Sequence, residues 1–425
     1  MNDTVTGLRN YFVVTGGYWG FTITDGAIRM LVVLYFHQLG YSPFEVAVLF
    51  LFYEFFGVVT NLVGGWIGAR LGLNLTMHVG MGLQVVALAM LTVPDAWLSV
   101  GYVMFAQALS GVAKDLNKMS AKASVKLMLP QGANAQSRLF KWVAILTGSK
   151  NALKGVGFFA GAALLSLTGF RMALSILAGG LLLVLVTTVV LLPRNLGKSK
   201  AKPKFTQIFS KTAEINWLSA ARFFLFGARD VWFVVGLPVY LYAVLGWEFM
   251  QVGGFLAAWI IGYGFIQASA PKLIRKSRHE LGPDGATARF WVFILAFVPA
   301  GIALALMAGL EPAWTLIIGL GLFGVVFAVN SAVHSYLILA YSDSDKVALN
   351  VGFYYMANAG GRLLGTVLSG WVYQVWGLTG CLWWSVGFVL AAAVLSFALP
   401  VHSRTQAISG KIQTLDNIGK TRISK

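Results

Sequence analysis

Charged side chains are scarce in this chain. They make up 11% of 425 residues, where a soluble domain carries about 25%. Such a deficit excludes water as the principal solvent of the fold. Acids are scarcer than bases: 15 Asp and Glu stand against 32 Lys and Arg, for a formal net charge of +17. Cysteine is all but missing. Cys381, the single one, forms no intrachain disulfide and excludes a cysteine-based metal centre. The five histidines form no H-E-x-x-H zinc pair, and no serine nucleophile elbow occurs. Gly197-Lys198-Ser199 and Gly419-Lys420-Thr421 lack the upstream glycine of a Walker A loop, which argues against direct ATP drive. The expectation is a protein that is not an enzyme and uses neither metal nor cofactor.

Apolar residues are abundant, at 58%, with mean hydropathy +0.75. They fall in blocks long enough to cross a bilayer as tilted helices. Twelve spans are predicted, at about 11–38, 44–69, 75–93, 97–121, 139–166, 170–193, 215–243, 250–271, 289–309, 313–336, 347–374 and 379–400. The run after Tyr11 carries Asp25 and Arg29 and lacks an A-x-A site, so the first span is expected to stay in the mature protein.

The basic residues are placed unevenly. Segment 194–211 holds Arg194, Lys198, Lys200, Lys202, Lys204 and Lys211; segment 272–289 and the tail after 401 are similarly basic. The turns expected on the other side carry mainly Asp95, Arg171, Glu248 and Glu311. By the positive-inside rule both termini are cytoplasmic. This asymmetry also accounts for the net charge without any nucleic-acid partner.

The two halves look related. Leu39-Gly40-Tyr41 and Leu245-Gly246-Trp247 lie 206 residues apart; Lys154, Gly157 and Gly169 recur 208 residues on as Arg362, Gly365 and Gly377. The expected fold is an all-α membrane protein of two pseudo-symmetric six-helix halves, 1–193 and 214–400, joined by a basic linker, 194–213, and followed by a basic tail, 401–425. Parallel repeats around a midplane site describe the major facilitator architecture. The run from Gly65 to Gly72, with Arg70, resembles that superfamily's loop signature, although Ala69 stands in the aspartate position and Leu73-Asn74 replaces the basic pair.

Five cations fall near the middle of spans: Arg29, Lys150, Lys154, Arg229 and Arg362. A charge at the bilayer centre costs roughly 2.5–3.5 kcal/mol on insertion scales, so cations of one sign there point to a wet cavity and an anion. Asp25 and Arg29, four apart, share a helix face and are expected to pair, either structurally or as a binding arginine held by a proton-exchanging acid. Lys150 and Lys154 share a face with no acid in their span. Arg229 and Asp230 are neighbours that point about 100° apart, so one is expected to line the cavity and the other to pair between helices. Tyr354, Asn358 and Arg362 form a polar stripe. Lys118, with Asp115, is expected to face the inner vestibule or to snorkel, and Lys122 and Lys126 to lie at the cytoplasmic surface. Glu54, without a partner in its own span, is a proton-coupling candidate beside Asp25, Asp115 and Asp230, or else a hydrogen-bonded structural residue. Lys150, Lys154 and Arg362 lack an acid in their own spans and are the strongest candidates for contact with the anion.

Four strings carry a more specific resemblance: Thr24-Asp25-Gly26-Ala27-Ile28-Arg29, Phe52-Tyr53-Glu54-Phe55-Phe56-Gly57, Asp115-Leu116-Asn117-Lys118-Met119-Ser120 and Ser149-Lys150-Asn151-Ala152-Leu153-Lys154. In these the chain resembles bacterial organoarsenical efflux transporters of the ArsJ type, more strongly in the first half than in the second. The resemblance implies a multi-pass protein of the bacterial inner membrane that exports 1-arseno-3-phosphoglycerate and confers arsenate resistance. It implies a functional link to glyceraldehyde-3-phosphate dehydrogenase, which makes that compound from arsenate. A monomer working by proton-coupled antiport is expected. The rivals are another anion or organophosphate exchanger, a drug exporter, and a non-transporting membrane receptor.

Overall fold

The computed structural model describes residues 2–41, 49–128, 135–193, 212–247, 249–274 and 282–401. Most of the basic linker and tail, Glu248, Ser42-Pro43, and Arg275, Lys276 and Arg278 of segment 272–289 lie outside the described residues. The helices are α1 (Asn2–Gln38), α2 (Leu51–Leu71), α3 (Leu73–Met90), α4 (Val100–Met128), α5 (Ala135–Thr168), α6 (Phe170–Leu191), α7 (Ala213–Phe233), α8 (Gly236–Ala243), α9 (Phe249–Ile274), α10 (Gly285–Met307), α11 (Pro312–Ala340) and α12 (Val347–Ser396). Helix is the form an apolar chain takes in hydrocarbon, because each backbone N–H and C=O must find its partner within the segment. Nine of the described stretches are long and apolar enough to cross a membrane. Large apolar side chains such as Leu183, Val190 and Phe297 stand exposed on the outside, the reverse of a water-soluble surface.

The twelve expected spans are recovered with two changes. Span seven is broken: α7 stops at Phe233 and α8 restarts at Gly236. Pro238 explains the stop, since its ring clashes with the carbonyl four residues earlier, at Val234. The freed N–H groups of Val235 and Gly236 donate to Ser369 Oγ at 3.2 and 3.1 Å. The last two spans are nearly continuous in α12 and part at Gly377, where φ is 65° and ψ −166°.

Glycines mark corresponding turns. Gly169 has φ 77° and ψ 170°, close to the angles at Gly377, 208 residues later. Gly40 (φ 93°) and Gly246 (φ 69°) also share left-handed backbone. Glycine is the residue that takes such angles without a Cβ penalty.

Helix α1 packs on α5, and α7 on α12; across the molecule α2 meets α12 and α5 meets α9. These contacts are tight because small residues face each other. A Cβ on Gly157 would stand 2.5 Å from the Ile23 carbonyl oxygen, and one on Gly365 2.8 Å from that of Gly227. Gly65 of the loop signature is pressed against α12, where a Cβ would sit 2.8 Å from the Ala348 oxygen. Gly148 and Gly264 close the α5–α9 contact in the same way.

At the end of the bundle opposite the termini, Asp95 accepts from the Tyr35 hydroxyl at 2.7 Å and from Arg171 at 3.1 Å. These donors hold its carboxyl below the usual range, the Tyr35 bond contributing most.

Candidate functional site

The charges expected near mid-membrane converge on one region between the helices. Asp25 on α1 is buried, accepting from Lys154 Nζ of α5 at 3.1 Å and from the Tyr53 hydroxyl of α2 at 2.5 Å. Asp230 on α7 is buried as well and accepts from Arg362 Nε of α12 at 3.0 Å and from Arg229 Nε at 2.6 Å. Lys154 and Arg362, the pair matched at 208 residues, thus each hold an acid on the opening helix of the same half.

Glu54 meets the second group at Arg362 and reaches the first through Arg29, which packs on the Tyr53 ring. Its carboxylate lies 2.6 Å from Arg29, 3.6 Å from Arg362 and 3.8 Å from Lys114. Asp115 binds Lys118 at 2.5 Å and Lys114 at 3.7 Å. The Arg29 guanidinium stacks 4.4 Å from the Tyr53 ring centre, and Lys114 lies 3.8 Å from the same ring. The side chains of Arg362 and Glu54 are about a third exposed, at 32% and 33%. Charges within an apolar bundle are costly unless they meet partners or water, and here most of them meet partners.

Several expectations from spacing are corrected. Asp25 and Arg29 are not bonded to each other; each finds its partner on another helix. Arg229 and Asp230, neighbours in sequence, do pair, because the long arginine side chain curls back to the acid. Glu54 is not unpaired but has three basic partners. Lys154 and Arg362 lack acids in their own spans yet bind acids from other helices.

Lys122 is the largest departure. Expected at the surface, it is 1% exposed, and its Nζ has no hydrogen-bond partner among the described residues. Arg222 on α7 is buried too. It donates to Asn358 Oδ1 at 2.9 Å and Ser331 Oγ at 3.1 Å, and its guanidinium lies 5.1 Å from the Tyr354 ring. Lys150 donates to Asn151 Oδ1 at 3.2 Å, and Asn151 donates to Gln267 on α9. Lys122, Lys150 and Arg222 form no ion pair among the described residues. Lys126, the other lysine expected at the surface, instead crosses to α11 and the turn after it, donating to the carbonyls of Leu339 (2.5 Å) and Ser342.

Of the sequence-based candidates, Lys118, Asp115, Asn358 and Tyr354 join the charged region through these contacts. Lys114 and Arg222 belong to it as well: Lys114 opens a lysine stripe of which only the outer two, Lys122 and Lys126, are expected at the surface, and Arg222 lies in span seven with no charged neighbour in sequence. Among the described residues no group of His, Cys, Asp and Glu is arranged to hold a metal ion.

This fold has known relatives. Residues 14–286 match the Major Facilitator Superfamily. The chain belongs to that superfamily. No curated protein matches it by sequence. Its fold is similar to that of a bacterial homologue of the iron transporter ferroportin in an outward-facing state, with 16% identity, TM-score 0.71, and coverage of 91% of this chain and 98% of that one. It is similar to the human organic anion transporter MFSD10 (TETRAN), with 16% identity, TM-score 0.72, and coverage of 92% and 99%. It also resembles the proton:xylose symporter XylE, with 12% identity, TM-score 0.71, and coverage of 92% and 95%. At these identities the likeness speaks for the fold. The chain is a multi-pass membrane protein with a transporter architecture.

Proposed function

We propose that this protein is a secondary transporter that exports a small organic polyanion by proton-coupled alternating access. One observation carries the reading: nine basic side chains, Arg29, Lys114, Lys118, Lys122, Lys150, Lys154, Arg222, Arg229 and Arg362, surround four carboxylates, Asp25, Glu54, Asp115 and Asp230. Nine less four leaves five positive charges in excess. A polyanion entering the cleft offsets that excess. An exporter of cations would need the opposite balance.

The substrate implied by the resemblance is 1-arseno-3-phosphoglycerate, with a carboxylate, a phosphate and an arsenate ester. The cleft suits it chemically. Its charged donors are hard nitrogen groups that recognise tetrahedral oxyanions. The only thiol, Cys381, is buried outside it, so the site is built for pentavalent arsenate esters rather than for trivalent arsenic. In this reading Arg29, Lys118, Lys150, Lys154, Arg229, Arg362, Tyr354 and Asn358 contact the anion. Protonation of Glu54, Asp25, Asp115 or Asp230 couples transport to the proton gradient, a proton entering as the anion leaves.

The halves 1–193 and 214–400 rock about the cleft, both termini are cytoplasmic, and the protein works as a monomer in the bacterial inner membrane beside a dehydrogenase that makes the substrate. An organophosphate exchanger is the second reading, because the same donors fit a phosphate ester without arsenate.

Uptake by everted vesicles tests the proposal. Wild-type vesicles should accumulate the arseno compound when energised, and Lys154→Gln and Arg362→Gln should abolish uptake. Wild-type rates in both variants would refute the site. Equal uptake of simple organophosphates would favour the second reading.

A further inference from the structure

The cations of the cleft fall into two kinds. Arg29, Lys114, Lys118, Lys154, Arg229 and Arg362 are each within 4.0 Å of a carboxylate. Lys122, Lys150 and Arg222 are not. Lys122 Nζ lies 5.6 Å from the Tyr355 ring, whose neighbour at 5.2 Å, Tyr354, lies 5.1 Å from the Arg222 guanidinium. A hydrogen-bonded path joins two of the three cations: Lys150 to Asn151, Asn151 to Gln267 at 2.7 Å, and Gln267 and Arg222 both to Ser331 Oγ at 3.1 Å. His334 and Asn330, on the same helix as Ser331, are fully buried, with both polar side-chain atoms of each unpartnered.

Lys122, buried with neither a counter-ion nor a hydrogen bond and with only the Tyr355 ring at 5.6 Å, is costly to keep charged unless an anion joins it. The unpartnered donors on α4 and α11, and the guanidinium of Arg222, are what a tetrahedral dianion would use. Resting on the transport reading above, we infer that Lys122, Lys150 and Arg222, with Ser331, form a distinct station for the phosphoryl group of the substrate, while the acid-paired cations hold its other anionic end. Among the described residues no carboxylate is bonded to this station, so a phosphoryl group docks there without first displacing an acid.

Inorganic phosphate and purified protein in detergent provide the test, read by thermal unfolding and by equilibrium dialysis of labelled phosphate. Phosphate should bind the wild type and raise its apparent Tm. Lys122→Met should raise the Tm of the phosphate-free protein, since it removes a cation without a partner, and should weaken phosphate binding by about tenfold or more. Arg222→Gln should weaken binding similarly. Arg171→Gln, at an exposed cation outside the cleft, should leave phosphate binding within about twofold of wild type. A Lys122→Met protein that is less stable than wild type, or that binds phosphate equally well, overturns the station, as does an equal loss of binding in Arg171→Gln. Vesicle uptake separates this from the transport reading. If wild type transports the polyanion but phosphate binding ignores Lys122 and Arg222, the station falls and transport stands. If phosphate binding depends on both residues but no polyanion is moved, the station stands and the transport reading falls.

Discussion

Lys154 and Arg362 make the same ion pair twice. Each reaches back to the first helix of its own half, Lys154 to Asp25 at 3.1 Å and Arg362 to Asp230 at 3.0 Å. The acids lie 205 residues apart and the bases 208. The two pairs differ in one respect. Asp230 also holds Arg229, and Arg362 also reaches Glu54, so the second pair belongs to a larger network.

Removing one member of the Lys154–Asp25 pair strands the other in an apolar setting. Asp25→Asn and Lys154→Gln should each lower stability, by about 1–3 kcal/mol after allowing for the partial exposure of Lys154. The double variant should recover most of that loss, since neither charge remains, yet stay inactive in vesicles. Denaturation midpoints of the four proteins close the cycle. Additive losses would mean that the two groups do not interact.

Glu54 faces three cations and is the most accessible carboxylate of the cleft. Glu54→Gln should abolish the response of uptake to an imposed proton gradient while preserving substrate exchange across the membrane at equilibrium. Gradient-driven uptake and counterflow, measured side by side, distinguish the two effects. Unaltered acceleration by the gradient would exclude Glu54 as the coupling acid.

Ser369 closes the break in span seven by accepting from two backbone N–H groups. Ser369→Ala should cost about 1–3 kcal/mol, the penalty for leaving buried donors unmet. Substitution of the exposed Ser175 on α6 should be near neutral. Thermal unfolding of the two proteins gives the comparison.

Gly169 and Gly377 share an unusual backbone conformation. If the halves descend from one repeat, Gly169→Ala and Gly377→Ala should cost similar amounts, about 1–2 kcal/mol each. A Cβ meets nothing within 4 Å at either position, so conformational strain alone sets the effect. A large disparity between the two losses would argue against their equivalence.

Much of this protein was legible in the sequence. Apolar block lengths placed the twelve spans, because a bilayer dictates how much helix must cross it. The matched glycines marked turns that adopt matching backbone angles, because positive φ demands glycine almost wherever it occurs. The intramembrane charges could be recognised as a site because hydrocarbon makes each of them costly. Tertiary structure alone decided who meets whom. Spacing rules describe neighbours on one helix, and they paired Asp25 with Arg29. The folded bundle offers Asp25 a nearer cation on α5 and gives Arg29 the carboxylate of Glu54 on α2. Lys122 carried the strongest contrast: its stripe resembled a solvated face, and only the packing of α4 among its neighbours buried it. Charge placement is local chemistry, read along the chain, whereas charge pairing depends on which helices pack together, and close glycine contacts such as Gly26 on Gly157 decide that across long stretches of sequence.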